Sequence, residues 1–200
     1  MRGVDVASPR ERMVRSAAVL IRERGAHPTA IADVLAHSGA PRGSAYHYFP
    51  GGRTQLLCEA IDYASDHVTA RLDRATDTFA LLDDMVARFR DQLLASDFRA
   101  GCPVVAVAVE AGDPEKADSA DAVRERAGAA FQRWIARITA RLCDDGVPVE
   151  RAEELATLIT TSVEGAVLVA RTTRDVKPLE LVHRQLREQL TAATGKKDRP

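Results

Sequence analysis

Apolar residues recur at spacings of three and four along most of this 200-residue chain, which is the periodicity of amphipathic helices. Near the N-terminus, capping and turn residues divide that pattern into three short segments. They predict a helix from Ser8-Pro9 to Gly25, one capped by Thr29 and ended by Gly39, and one from Pro41 to about Tyr48. The turn sequence Pro50-Gly51-Gly52 then interrupts the pattern.

Longer helical segments are predicted after this break. They extend from the break to about Arg74, through Leu82–Leu93, over Val104–Glu110, from Lys116 to Cys143, from Glu150 to Thr173, and onward from Pro178. Val104–Glu110 is apolar on all sides and also fits a buried strand, but no second strand exists for it to pair with. We therefore expect an all-α chain, with domains at residues 1–52 and 53–195 and a frayed tail at 196–200.

Charge narrows the classes of partner. With 28 basic and 29 acidic residues the net charge is -1, so the whole chain is not a polycation that coats nucleic acid. Residues 1–53 nevertheless carry eight arginines and four acidic residues, a net charge of +4 against -5 for the remainder. This asymmetry indicates that the N-terminal module meets a polyanion, and chance clustering of surface arginines is the alternative.

The sequence gives no support for a membrane protein, a metal or disulfide site, or an enzyme. No run approaches the roughly 18 apolar residues of a membrane span, and no secretory signal is present, so we expect a cytoplasmic protein without a membrane partner. The cysteines Cys58, Cys102 and Cys143 form no CxxC pair, and the five histidines lack metal-ligand spacing. Catalytic motifs are also missing, so we expect no metal, no cofactor and no enzymatic activity.

The third predicted helix has two chemically different faces. Ala45 and Phe49 lie four residues apart and are expected to face the core. The remaining positions are expected to be exposed and rich in hydrogen-bond donors: Arg42, Gly43, Ser44, Tyr46, His47 and Tyr48. Two short helices joined at Gly39 have the dimensions of a helix-turn-helix, whose second helix enters the major groove. A buried aromatic cluster is the alternative interpretation.

The string TAIADVLAHSGAPRGSAYHYFPGGRTQL at residues 29–56 resembles the DNA-binding domain of the tetracycline-repressor (TetR) family. Within it, GAPRGSAYHYFPGG is similar to the LmrA/YxaF-like branch, and GCPVVAVAVEAG at residues 101–112 resembles the C-terminal domain of that branch. The resemblance implies a homodimeric, all-helical repressor. Each subunit would have an N-terminal three-helix DNA-binding domain and a C-terminal six-helix domain that dimerises and holds an inducer.

By position, the resemblance also implies contacts to double-stranded DNA. The implied residues are Thr29, Tyr46, Tyr48 and Arg53 at phosphates or backbone, His47 at base edges, and Arg42, Gly43 and Ser44 at bases or backbone. The chain departs from the family pattern at Ala45, where a larger aliphatic residue is usual, and at Pro41, where serine or threonine is usual.

The C-terminal domain is expected to enclose a small apolar effector. The residues predicted to line its site are Met85, Phe89, Cys102, Val105, Val109, Phe131, Trp134, Ile138 and Ser162. Glu164 and Arg171 are candidates for polar groups inside the site, or for surface or interface groups. Since apolar stripes form core more often than pocket, ordinary packing is the alternative for each apolar residue.

The last two predicted helices carry more apolar surface than one small subunit easily buries. The residues predicted for a dimer interface are Leu155, Ile159, Val163, Val167, Leu179, Val182, Leu186 and Leu190. A two-fold dimer presents recognition helices about 34 Å apart, which predicts a near-palindromic operator. The alternatives from other classes are a helical small-molecule-binding or enzymatic bundle and a protein-interaction adaptor.

Overall fold

The computed structural model describes residues 7–110 and 117–195, and these residues form helices and turns without any strand. The helices are α1 (Pro9–Arg24), α2 (Ile31–Ser38), α3 (Ser44–Tyr48), α4 (Gly52–Leu72), α5 (Thr78–Ala95), α6 (Pro103–Ala108), α7 (Ala117–Asp144), α8 (Val149–Thr173) and α9 (Lys177–Thr194). The predicted all-α fold is confirmed. Among the described helices α7 is the longest, with 28 residues, as the apolar periodicity predicts.

Capping groups set the ends of α1 and α2. The Ser8 hydroxyl accepts a hydrogen bond from the Glu11 N–H, and the Glu11 carboxylate accepts one from the Ser8 N–H at 2.7 Å. α2 ends at Gly39, whose left-handed φ of 66° suits glycine. The prediction that Thr29 caps α2 is wrong, because Ala30 is the N-cap and its N–H donates to the Asp33 carboxylate at 3.1 Å.

α3 begins at Ser44 rather than at Pro41, because the residues before it form a turn. Both the N–H and the hydroxyl of Ser44 donate to the Pro41 carbonyl, at 3.0 Å and 2.7 Å. The resulting helix has five residues. Ala45 is 1% exposed and Phe49 is fully buried, so the predicted inward face of this helix is confirmed.

The chain divides into two compact units. Unit 1 comprises residues up to 65 together with 103–128, and unit 2 comprises 66–102 together with the residues from 129 onward. α1 packs against α2 and α6 within unit 1. The predicted domain boundary at residue 52 stays a prediction, and the predicted frayed tail lies outside the described residues.

In unit 2, α8 packs against both α9 and α5. Among the described helices, α8 alone has the length and mean hydropathy of a membrane span. Its most apolar face is buried within the unit, however, and includes Leu155, Ile159, Val163 and Val167. The apolar character of α8 is therefore used in packing between helices. A polar contact joins α5 and α9, where Asp83 lies 2.7 Å from His183 Nε2 and accepts hydrogen bonds from Arg187.

Candidate nucleic-acid interface

α3 and the turn before it present a polar surface to solvent. Tyr46 is 71% exposed, Arg42, Gly43 and His47 are exposed, and Ser44 and Tyr48 are half-buried. We call these six residues the α3 surface. The rings of His47 and Tyr48 meet edge-on at a centroid distance of 5.1 Å. Because no acidic residue occurs between residues 41 and 50, the surface offers donors without introducing negative charge.

Contacts from α1 hold the opposite, buried side of α3. The Arg10 guanidinium lies 5.3 Å from the centroid of the Phe49 ring and pairs with Glu59 of α4 at 2.7 Å. Met13 is fully buried, and its sulfur lies 4.0 Å from the hydroxyl of the half-buried Ser44, at the edge of the α3 surface. Packing on α1 therefore fixes the direction in which the α3 surface faces.

Thr29 does not share this surface. Its side chain is only 1% exposed, and its hydroxyl donates to the Gly25 carbonyl at 2.7 Å. A phosphate contact needs a donor that reaches the protein surface. The DNA contact implied for the Thr29 side chain is therefore wrong in this conformation, and the residue braces the segment between α1 and α2 instead.

Arg53, at the start of α4, is also turned toward the protein. Its Nε donates to the Thr29 carbonyl at 2.9 Å, and its Nη2 donates to the carbonyls of Ala26 and His27. Burial lowers the pKa of Arg53 from its ordinary value, while the nearby negative charge of Glu110 opposes that change. The guanidinium thus clamps the segment 25–29, which we call the α1–α2 loop. Its phosphate contact stays a prediction.

Glu110, just after the end of α6, contacts the same loop. Its Oε2 accepts a hydrogen bond from the His27 N–H at 2.8 Å. The two residues are 83 positions apart in the chain, so no periodicity or local motif signals their contact. Sequence reasoning therefore missed this residue.

The residues predicted to line an effector site are distributed over both units. Val105 and Val109 belong to unit 1, and the remaining predicted residues belong to unit 2. Val109 is 68% exposed and follows the last residue of α6, so it lies outside the apolar core, and its assignment as a lining residue stays a prediction. Cys102, Trp134 and Ile138 are buried within unit 2, whereas Met85, Phe89, Phe131 and Ser162 are half-buried.

Unit 2 also contains a carboxyl group that lacks full hydrogen bonding. Oε2 of Glu164, on α8, is removed from solvent and has no hydrogen-bond partner among the described residues. The group does receive a hydrogen bond from the Cys102 side chain. Burial raises the pKa of Glu164 to about 7, and the bond from Cys102 opposes the rise. The sequence marked Glu164 only as one of several possible polar groups.

Comparison with known proteins connects these features. Residues 14–60 match the family profile described as bacterial regulatory proteins of the tetR family, and residues 79–185 match the C-terminal domain of LmrA/YxaF-like transcriptional regulators. The chain is 59% identical over 191 residues to an HTH-type transcriptional regulator of Mycobacterium tuberculosis, covering 96% of this chain and 98% of the relative. This chain belongs to the TetR family. It is a transcriptional regulator with a helix-turn-helix DNA-binding domain, not an enzyme.

More distant relatives agree with this TetR-family assignment. YxaF of Bacillus subtilis is 29% identical over 181 residues, covering 88% of this chain and 92% of YxaF. A TetR regulator of Legionella pneumophila, solved by crystallography, shares the fold with a TM-score of 0.76 at 20% identity, over 93% of this chain and 99% of that one. Within the part of this regulator that the structure describes, no cluster of three or more His, Cys, Asp or Glu residues is arranged to hold a metal ion.

The apolar residues that this regulator was predicted to use for dimerisation are already buried within one subunit. Val182 is half-buried, and the other seven are at most 4% exposed. These seven are Leu155, Ile159, Val163, Val167, Leu179, Leu186 and Leu190. α8 and α9 pack against each other within the subunit, so the seven buried residues have little surface left to offer a partner, and their assignment to a dimer interface stays a prediction. The exposed large apolar residues of the two helices are Val149, Leu158, Leu168, Val169 and Leu181.

We predict that Arg53→Lys lowers the free energy of unfolding by about 1–2 kcal/mol. A lysine lacks the rigid planar fork with which the guanidinium donates to three separate carbonyls, and solvent screening of the partly exposed group keeps the loss small. Urea denaturation of the full chain measures this loss. Arg42→Lys is the control, since Arg42 is exposed on the α3 surface and should tolerate the change. Equal stability of the two variants would show that Arg53 does not clamp the α1–α2 loop.

We further predict that Glu164→Gln stabilises the chain above pH 7. A carboxyl whose pKa rises from 4.5 to about 7 on folding binds its proton more tightly in the folded state, so stability falls as pH rises through that interval. The variant should therefore match the parent near pH 4.5 and exceed it by on the order of 2–3 kcal/mol at pH 8. Thermal unfolding over this pH range tests the effect. The control is Glu153→Gln, at an exposed position on α8, which should leave the pH profile unchanged. An unchanged profile for Glu164→Gln as well would show that burial does not destabilise the ionised Glu164 carboxylate.

Proposed function

We propose that this regulator is a homodimeric repressor of the cytoplasm, which binds a near-palindromic operator through the α3 surface and releases it when a small apolar effector binds the C-terminal domain. Residues 1–52 and 53–195 would form the DNA-binding and regulatory domains. The observation that carries the DNA-binding part is the division of α3. One flank is buried against α1, and the other exposes donors that fit a major groove.

Each exposed residue has a distinct role in this proposal. Arg42 forks onto a guanine or a phosphate, and the hydroxyls of Tyr46 and Tyr48 reach phosphates from the groove walls. His47 faces base edges. A Cβ added at Gly43 would meet no atom within 4 Å, so the protein leaves open space there for the DNA backbone to approach. Ser44 uses its hydroxyl hydrogen on Pro41 and keeps its lone pairs as acceptors.

The effector proposed here is largely apolar but carries one hydrogen-bond donor. The buried residues of unit 2 favour an apolar molecule, and the unpartnered Oε2 of Glu164 favours a donor at one point of it. α4 continues the chain from unit 1 into unit 2, and we propose that its movement changes the separation of the two α3 surfaces in the dimer. A difference of about 3 kcal/mol in effector affinity between the two spacings weakens DNA binding about 150-fold.

For the dimer we propose the exposed leucines of α8 together with Leu181 of α9. Leu158 and Leu168 are 42% and 48% exposed, and Leu181 on α9 is 40% exposed. Gly165 lies between the two leucines along α8, and a Cβ added there would meet nothing within 4 Å. The helix of a second subunit can therefore approach closely at this point.

The DNA-binding part predicts that Arg42→Ala weakens binding to the duplex upstream of its own gene by about 1–3 kcal/mol, or roughly 5- to 150-fold. Gel-shift titrations at fixed salt measure the change. The control is Arg88→Ala, which removes the same charge from an exposed position of α5. The parent's affinity should also fall steeply as salt rises.

Three outcomes would contradict this function. Equal affinity of Arg42→Ala and Arg88→Ala removes the α3 surface from the contact. Parent binding that does not weaken with salt favours a protein-interaction adaptor. Failure of a panel of apolar drugs and plant phenolics to release the DNA argues against the proposed effector control.

The dimer proposal predicts that Leu168→Glu weakens the dimer, because each subunit would then bury a carboxylate in an apolar interface. We expect dimer affinity to fall by at least about tenfold, measured by light scattering over a dilution series. Val149→Glu, at a position 51% exposed at the start of the same helix, is the matched control. A dimer that persists in Leu168→Glu and dissociates in Val149→Glu would place the interface elsewhere.

A further inference from the structure

We infer that Glu110 is a positioning residue for DNA binding, which holds the α1–α2 loop in the conformation that presents the helix-turn-helix to DNA. All the contacts concerned lie within unit 1. The inference goes beyond the proposed function, because Glu110 belongs to neither the α3 surface, the dimer face nor the effector site.

The Glu110 carboxylate uses both of its oxygens at this loop. Oε2 accepts the His27 N–H at 2.8 Å, and Oε1 occupies the space in which a side chain at position 25 would begin. A Cβ added to Gly25 would lie 2.2 Å from that oxygen, closer than any real contact. Gly25 also has a φ of 94°, which residues with side chains rarely adopt. The loop is therefore shaped so that the carboxylate reaches its backbone.

Arg53 binds the same loop, and the negative charge of Glu110 acts on its guanidinium. The guanidinium binds the carbonyls of Ala26, His27 and Thr29, while the carboxylate binds the N–H of His27. A half-buried cation is stabilised by an anion nearby, and the charge of Glu110 does act on Arg53 in this direction. A donor group from α4 and an acceptor group after α6 thus hold one short loop together.

The loop determines where α2 begins. Ala30, the N-cap of α2, follows the loop directly. Its N–H donates to the Asp33 carboxylate, and Asp33 pairs with Arg24 of α1 at 2.8 Å. α2 is the first helix of the helix-turn-helix, and only Gly39 to Gly43 separate it from α3. A change in the loop therefore changes the angle between α1 and α2, and with it the presentation of α3.

General electrostatics makes the opposite prediction for the loss of Glu110. Removing a negative charge from a DNA-binding unit reduces repulsion by phosphates and should tighten binding. The positioning role predicts weaker binding. The sign of the change therefore separates the two effects.

The test uses the full chain with Glu110→Ala, Glu110→Gln and Glu125→Ala. Glu125→Ala removes the same charge from an exposed position of α7 in unit 1. Glu110→Gln keeps a carbonyl oxygen that can accept the His27 N–H. Two quantities are measured: affinity for the upstream duplex at fixed salt, and exchange of the His27 amide proton in the free protein by NMR.

We expect Glu110→Ala to bind about tenfold more weakly than the parent, with faster His27 exchange, since one charge-assisted hydrogen bond is lost. Glu110→Gln should recover most of both properties, and Glu125→Ala should bind as tightly as the parent or more tightly. Unchanged or tighter binding by Glu110→Ala would overturn the inference, as would unchanged His27 exchange. A parent that binds no upstream DNA would instead contradict the proposed function, and the exchange measurement would still decide whether Glu110 holds the loop.

Discussion

A helix of five residues makes too few internal hydrogen bonds to hold its own shape, so α3 depends on the burial of its inward side chains. Ala45 and Phe49 are the buried residues, Arg10 of α1 lies over the Phe49 ring, and Met13 of α1 lies beside the half-buried Ser44. The exposed residues of α3 inherit their direction from this packing. A recognition surface held in this way is as rigid as the core below it, although almost nothing within the helix itself stabilises it.

The α1–α2 loop, like α3, is stabilised by contacts from other parts of unit 1, but here the contacts are hydrogen bonds from polar side chains. Backbone carbonyls outside regular helices need donors when water is excluded from them. Arg53 supplies donors to three such carbonyls, and Thr29 supplies one to the Gly25 carbonyl. The family resemblance assigns Thr29 and Arg53 to DNA contacts, but in this structure both side chains bind backbone carbonyls of the protein. An arginine in place of the family's usual lysine suits this role, because its planar guanidinium holds several donors apart in a rigid fork, whereas a lysine ammonium offers its donors from a single nitrogen.

Periodicity and capping residues predicted the helices, the inward face of α3 and its exposed polar positions, since each depends on neighbours three or four residues away. The contact of Glu110 with His27 depends on tertiary packing and had no such signal. For α8 and α9, the apolar stripe predicted burial correctly, but periodicity cannot distinguish a partner helix of the same subunit from one of a second subunit. Leu158 and Leu168 of α8 are exposed, whereas the residues of the stripe on α8 are buried within the subunit.

Glu164 poses the remaining energetic question in unit 2. A carboxyl withdrawn from water and only partly hydrogen-bonded destabilises the fold when it is ionised, and an apolar residue of similar size would avoid that cost. The destabilisation by the ionised Glu164 carboxylate is removed when the carboxylate binds a proton or when a ligand donates a hydrogen bond to it. A cationic ligand favours the ionised form and would bind more tightly as the pH rises through 7, whereas a ligand that accepts a hydrogen bond favours the protonated form and would show the reverse. For the effector proposed above, the pH dependence of its affinity would distinguish a ligand that donates to Glu164 from one that accepts from it.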